Sequence, residues 1–234
     1  MSQISRIIAD NLAKVRERIS EAATTANRDP SEVRLIGVSK YVGISETASL
    51  VAAGCTDLGE SRPQQLWEKA SNPELATARW HLVGHLQRNK VRRTLPIGSL
   101  IHSVDSWRLL DAIDKCSKEL GLTTRVLLEV NCSGESSKHG LSSDDLRRLL
   151  PSLVELKNVS VVGLMTMAAL EGGIAVAEEN FAALRELRDA VQEECPPNVQ
   201  LRELSMGMSH DFEAAIRAGA TMVRVGSLLF EGIS

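Results

Sequence analysis

Aromatic side chains are scarce in this sequence: one tyrosine, three phenylalanines and three tryptophans among 234 residues. That is too few for a recognition surface built from stacked rings. Charge of one sign is also missing. Lysine and arginine number 27 against 30 aspartates and glutamates, a formal charge of −3, so no general field draws in nucleic acid or anionic lipid. No apolar run approaches the length that spans a bilayer. The opening Met1-Ser-Gln-Ile-Ser-Arg6 has no apolar stretch behind a basic cluster, as a secretory signal would. The expectation is a cytoplasmic protein with neither nucleic-acid nor membrane partners. The four cysteines, Cys55, Cys116, Cys132 and Cys195, form no close pair, and none has histidine at metal-ligand spacing. They read as packed, inert thiols without disulfides, and no metal site is expected.

What is present is ordinary for a soluble α/β protein. At 43% hydrophobic and 24% charged, the chain has enough apolar material for a sizeable core. No linker, repeat or low-complexity segment interrupts it, so residues 1–234 read as one domain. Ile4, Ile8, Leu12, Val15 and Ile19 fall at helical spacing, which predicts an amphipathic helix over 4–20 docked on that core. Strand-like runs follow at 33–39, 57–60, 80–83, 100–104, 125–130, 159–165, 203–206 and 222–225. Helical patterns separate them, among them 44–53, 64–70, a basic segment after Gly84, a stretch capped by Asp105 or Ser106 and running through Leu120, 142–151, 175–194 and 211–218. Eight strands alternating with helices and never meeting at a hairpin signal predict a single (β/α)8 barrel of the TIM type with an extra N-terminal helix.

The first strand ends in a lysine. Leu35, Ile36 and Val38 suit a strand buried on both faces, and Lys40 stands where it runs out. Either this lysine snorkels at a sheet edge, or it is an amine held in a dry pocket with a lowered pKa, free to condense with an aldehyde. In such barrels the strands' carboxyl ends form the active face, and the loops after strands seven and eight often hold a phosphate. Here those loops are Ser205-Met-Gly-Met-Ser209 and Gly226-Ser-Leu-Leu229, small residues and hydroxyls suited to an anion. Arg224 interrupts the eighth strand. It either pairs with a carboxylate such as Glu203 or donates to a ligand atom, since a guanidinium cannot itself lose a proton. Lysine, phosphate loops and arginine together fit pyridoxal 5′-phosphate. The basic run Arg88 to Arg93 carries no interleaved aromatic and reads as a solvated helix face.

Longer stretches carry a resemblance. They are Val38-Ser-Lys40, Gly59-Glu60, Trp80-His-Leu-Val-Gly-His-Leu-Gln-Arg-Asn-Lys90, Ser103-Val-Asp105 and Val130-Asn-Cys-Ser-Gly-Glu-Ser-Ser-Lys-His-Gly140. Gly163-Leu-Met-Thr-Met167, Leu204-Ser-Met-Gly-Met-Ser-His-Asp-Phe-Glu213 and Val223-Arg-Val-Gly226 complete the set. With these the chain closely resembles the pyridoxal-phosphate homeostasis proteins, small relatives of the amino-terminal barrel of alanine racemase. The stretch around Met206-Gly-Met-Ser209 is the most specific. The resemblance implies that Lys40 forms the Schiff base, that Ser205, Gly226 and Ser227 meet the phosphate, and that Arg224 lies near the pyridine nitrogen. It departs from the family at Ser61, where an asparagine is usual, and at Glu231, which follows Phe230 where the family tends to read Phe-Gly. His85, after strand three, is a further candidate at the cofactor or a histidine satisfied by local backbone. Lys138, after strand five, reads as solvated rather than as a second amine.

The resemblance implies a monomeric carrier that stores, buffers or delivers the cofactor, with enzymes lacking their pyridoxal phosphate as partners. The alternative is a racemase-like enzyme. An arginine opposite the ring nitrogen makes the ring a poor electron sink, and racemisation needs a base on each face of the substrate carbon. The racemases of this barrel take one from a second domain, for which the residues after strand eight leave no room. A Schiff-base aldolase is a third reading, against which the family stretches weigh.

Overall fold

Eight short parallel strands close on themselves in sequence order, the last pairing with the first. In the computed structural model of the protein, the described residues are 2–135, 139–169, 171–197 and 199–233. The strands are β1 (Arg34–Val38), β2 (Asp57–Glu60), β3 (Arg79–Leu82), β4 (Gly98–Val104), β5 (Thr124–Glu129), β6 (Val159–Met165), β7 (Glu203–Ser205) and β8 (Met222–Val225). Helices α1 (Gln3–Thr25), α2 (Ile44–Ala52), α3 (Pro63–Ala70), α4 (Val91–Thr94), α5 (Trp107–Leu120), α6 (Ser143–Leu149), α7 (Gly173–Gln192) and α8 (Phe212–Arg217) alternate with them. This is the TIM-type barrel that the alternation predicted. Among the described residues no helix is long and apolar enough to cross a membrane.

Two apolar clusters build it. The larger lies between sheet and helices and includes Leu58, Leu82, Val104, Leu128, Leu164 and Leu204. The smaller, Ile36, Leu100, Leu127, Met165 and Met222, takes one residue from each of five strands and fills the barrel interior. Since side chains alternate along a strand, these five strands serve both clusters, which is why their apolar residues stand next to one another in sequence. At Gly163 of β6 the neighbouring strand is so close that a Cβ would strike the Glu203 carbonyl; only glycine fits.

Element ends differ from expectation where proline and capping intervene. The helix expected over 142–151 stops at Leu149, and Pro151, which lacks an N–H, sits in a 3-10 turn over Leu150–Glu155. The basic segment after Gly84 divides into a 3-10 turn, Arg88–Lys90, and the single turn of α4. Arg88, Arg92 and Arg93 are exposed, the solvated face that was expected, with the Arg93 guanidinium 4.3 Å from the Trp67 ring centroid and Arg92 paired with Glu119.

The N-terminal helix is longer than its pattern suggested. It buries Ile8, Leu12, Val15, Ile19, Ala22 and Ala23. Arg18 pairs with Glu213 of α8 at 2.5 Å, and the Asn11 amide donates to the Glu231 carbonyl at 2.9 Å. Glu231 thus contributes its backbone here. Helix α1 therefore braces the last 3-10 turn, Ser227–Phe230, from outside the barrel. Truncating Leu12, 2% exposed, to alanine should destabilise the fold by about 2–5 kcal/mol, read as a lower denaturation midpoint in urea. A loss under about 0.5 kcal/mol, typical of surface positions, would show that α1 is not docked.

Candidate functional site

Strands β1 and β8 are neighbours, and their register sets Ile36 beside Arg224. One pleat further on, a Cβ on Gly226 would lie 3.1 Å from the Val38 carbonyl. Lys40 is two residues beyond Val38, in the turn that leaves β1 at this same end of the barrel. It is half-buried at the rim rather than enclosed in a dry pocket, with its ammonium 4.7 Å from the ring centroid of the exposed Tyr41. Among the described residues nothing forms a hydrogen bond or ion pair with this ammonium.

The strand end that carries Lys40 is fixed from behind. The buried hydroxyl of Ser39 donates to Glu60 Oε1 at 2.7 Å, and the Lys69 ammonium donates to the same oxygen at 2.6 Å and to the Ser39 carbonyl at 2.7 Å. Both charged groups are buried, and Glu60 Oε2 has no partner among the described residues. The sequence hid this clamp, because Lys69 sits among the polar positions of a short amphipathic pattern. A glutamate in a strand-ending Gly59-Glu60 was the available signal.

Arg224 is 5% exposed. One terminal nitrogen donates to Ser205 Oγ at 2.6 Å and the other to the Thr166 carbonyl at 2.9 Å. Burial lowers its pKa to about 10, against the pull of the Asp211 and Glu129 carboxylates, so it remains a cation at neutral pH. Glu203, the carboxylate considered for it, faces Arg34 and Arg125, each at 4.0 Å, and accepts from Thr221. Ser205 is fully buried and its hydroxyl lies between Arg224 and His102 Nδ1, 2.8 Å away. It supports Arg224 from beneath, which leaves the free hydroxyl hydrogen of the loop after β7 to another residue.

That residue is Ser209, whose Oγ accepts from the Gly226 N–H at 3.1 Å and keeps its own hydrogen to donate. The loop turns through Gly207 at φ +89°, where a Cβ would come within 2.6 Å of Ala215. Gly226 opens the last 3-10 turn without a side-chain cap, and Ser227 is exposed at its start. The exposed Ser227 hydroxyl, the buried Ser209 hydroxyl and the uncapped start of the 3-10 turn make a donor set that suits a phosphate. The motif Ser205-Met-Gly-Met-Ser209 contained both serines; which of them seats Arg224 and which keeps a hydrogen to donate depends on contacts across the barrel.

Ser61 is half-buried, with its carbonyl packed where a Cβ on Gly84 would lie. His85 stands 3.4 Å from Asp105, its ring stacked on His139 with centroids 4.8 Å apart. The ligating atoms of His85, Asp105 and His139 all lie within 4.8 Å of one another, a set able to take a metal ion. Glu129 is buried nearby, its carboxyl raised by burial and by the charge of Asp105. Lys138 lies outside the described residues. The four cysteines are free, and burial pushes the Cys55 thiol up to about 11.

Comparison with known proteins follows from this geometry. The family model described as "Alanine racemase, N-terminal domain" matches residues 11–233. The pyridoxal phosphate homeostasis protein of Aquifex aeolicus is 40% identical over 221 residues, covering 94% of this chain and 96% of that protein. A crystal structure of an unknown protein from Bifidobacterium adolescentis superposes with a TM-score of 0.92 at 35% identity, covering 98% and 97% of the two chains. PipY of Synechococcus elongatus, solved with PLP bound, has a TM-score of 0.84 at 37% identity, covering 95% and 99%.

Two outcomes are expected from the buried charges. Lys69→Met leaves the Glu60 carboxylate buried alone and should cost about 3–5 kcal/mol in urea unfolding, whereas adding Glu60→Leu should recover most of it. A double variant no more stable than the single would mean that the clamp is not an ion pair. Asp57 supplies the second. Burial alone would raise its carboxyl, but hydrogen bonds from Arg79 and His81 outweigh it and hold the pKa well below the ordinary 3.8. The stability this group contributes is complete above the ordinary value and is lost as the pH falls from there toward the native one. Unfolding measured through the acid range should accordingly fall less steeply for Asp57→Asn than for the parent; equal slopes would count against the assignment.

Proposed function

Because this chain belongs to the pyridoxal phosphate homeostasis protein family, built on the alanine racemase N-terminal barrel, we propose that its barrel mouth holds pyridoxal 5′-phosphate and that the protein stores, buffers or delivers it. The observation that carries this reading is the juxtaposition on adjacent strands of Lys40, an amine without an ionic partner among the described residues, and the buried cation Arg224. When bound, the cofactor supplies an aldehyde that an amine can hold covalently and a ring that withdraws electrons most strongly when its nitrogen is protonated.

In this reading Lys40 is the amine that holds the aldehyde carbon, and the clamp of Ser39, Glu60 and Lys69 keeps its strand end in place. Ser209, Gly226 and Ser227 hold the phosphate. Ser205, expected at the phosphate, instead seats Arg224, which offers an N–H to the ring nitrogen and opposes its protonation. Ser61 and His85 border the same mouth at the ends of β2 and β3. A residue set that weakens the electron sink while keeping the aldehyde within reach suits a carrier better than a racemase. Its partners are then the cofactor and the enzymes that lack it.

Three measurements test these roles. Borohydride reduction followed by peptide mass mapping should put a pyridoxyl group on Lys40 and lose it in Lys40→Ala; a label on Lys138 instead would end the assignment. Ser209→Ala and Ser227→Ala each remove a donor to an anion, about 1.5–3 kcal/mol, so each should bind pyridoxal phosphate roughly tenfold to hundredfold less tightly with pyridoxal affinity little changed. If both variants discriminate between the two compounds as the parent does, the phosphate lies elsewhere. Deuterium uptake at the α-carbon of alanine in heavy water should be negligible, and rapid exchange would restore the racemase.

A further inference from the structure

Five side chains cross the barrel from the far mouth to Arg224. Asp57 Oδ1 lies 3.1 Å from His81 Nε2, His81 Nδ1 lies 2.9 Å from His102 Nε2, and His102 Nδ1 lies 2.8 Å from Ser205 Oγ. Ser205 meets Arg224 at 2.6 Å. All five are buried. At its outer end Asp57 also takes two hydrogen bonds from Arg79, at 2.9 and 2.5 Å.

The donors and acceptors fit together in one direction. Asp57 is an ionised carboxylate and only accepts, so His81 carries its hydrogen on Nε2 and presents a lone pair at Nδ1. His102 must then donate from Nε2, and its own Nδ1 is left to accept. Ser205 gives its single hydrogen to that nitrogen and has only lone pairs for Arg224. The reverse arrangement strands a hydrogen: His102 and Arg224 would both donate to Ser205, whose own O–H would have no acceptor in a fully buried site. Full burial of His102, with the positive charges of Arg224 and Arg34 near it, holds its pKa well below the ordinary 6.5 and keeps it neutral.

We propose that Asp57, at the mouth opposite the candidate site, is a positioning residue for Arg224, acting through His81, His102 and Ser205. The chain pins one terminal nitrogen of the guanidinium on Ser205 while the Thr166 carbonyl holds the other. So fixed, Arg224 cannot swing to Glu129 or Asp211, the two carboxylates whose charge it feels, and its remaining N–H groups stay available to a ligand. That the ligand atom is the cofactor's ring nitrogen rests on the function proposed above.

The test reads the hydrogens first. In the full-length protein labelled with 15N-histidine, long-range proton–nitrogen correlation should show His81 and His102 both as the Nε2–H tautomer, with and without pyridoxal phosphate. The side-chain amide introduced by Asp57→Asn can donate to His81, so this variant should move both rings toward the Nδ1–H form. His102→Gln breaks the chain without touching the Asp57–Arg79 pair. Binding is then compared between pyridoxal phosphate and its analogue with CH in place of the ring nitrogen. The parent should prefer the natural cofactor by about tenfold, the worth of one ordinary hydrogen bond. Asp57→Asn and His102→Gln should each lose that preference while still discriminating pyridoxal phosphate from pyridoxal. An Nδ1–H tautomer on either histidine of the parent overturns the proposal, as does a preference for the ring nitrogen undiminished in both variants. Nε2–H tautomers that switch in Asp57→Asn, in a parent indifferent to the ring nitrogen, uphold the chain and overturn the reading of Arg224's ligand.

Discussion

A guanidinium enclosed in a closed barrel has to be solvated by the protein, because water no longer does it. Arg224 imposes that requirement on this fold. The interior of a TIM barrel is ordinarily layered with branched apolar side chains, and Ile36, Leu100, Leu127, Met165 and Met222 supply such a filling here. Alongside them stands a polar column of Asp57, His81, His102 and Ser205, with the Thr166 carbonyl above. Replacing any member by an apolar residue leaves its neighbour buried and unpaired, which makes the column an all-or-nothing arrangement. The chain accepts this cost to keep one positive charge beneath the strand-end lysine.

A second buried charge performs a different task. Lys69 of α3 and Glu60 at the end of β2 hold Ser39, immediately before Lys40, by its carbonyl and its hydroxyl respectively. A half-buried lysine at a rim has several rotatable bonds, and ordering its backbone removes part of the conformational freedom that binding would otherwise have to remove. The two buried cations divide the work: Lys69 fixes the backbone just before Lys40, and Arg224 ties the end of β8 to Ser205 and the Thr166 carbonyl.

Much of this was legible in the residue order, and the limit has a physical origin. Strand and helix periodicities determine which face a residue takes, so eight alternating elements and their approximate bounds could be read directly, down to the four-residue β2 and the three-residue β7. Lys40, Arg224 and the glycine-serine loops stood out because each breaks the apolar pattern of a strand end. Periodicity does not say which inward side chain meets which. Ser205 and His102 are 103 positions apart and touch only because the sheet closes, so the serine beneath Arg224 and the serine that bonds Gly226 could not be told apart. His81 and His102 read as ordinary members of strands for the same reason, and Lys69 as one more polar residue on a helix.

The seam between β1 and β8 has a consequence for how the protein comes to exist during synthesis. Arg34 to Gly37 of the first strand pair with Met222 to Val225 of the last, and the brace from α1 spans 220 positions, from Asn11 to Glu231. Such contacts form late, because ordering the intervening chain must precede them. A nascent chain on the ribosome carries Lys40 long before β8 emerges with Arg224 and the loop after it. The half-made polypeptide therefore displays this amine without the residues of β8, which come beside its strand only when the ring of strands closes.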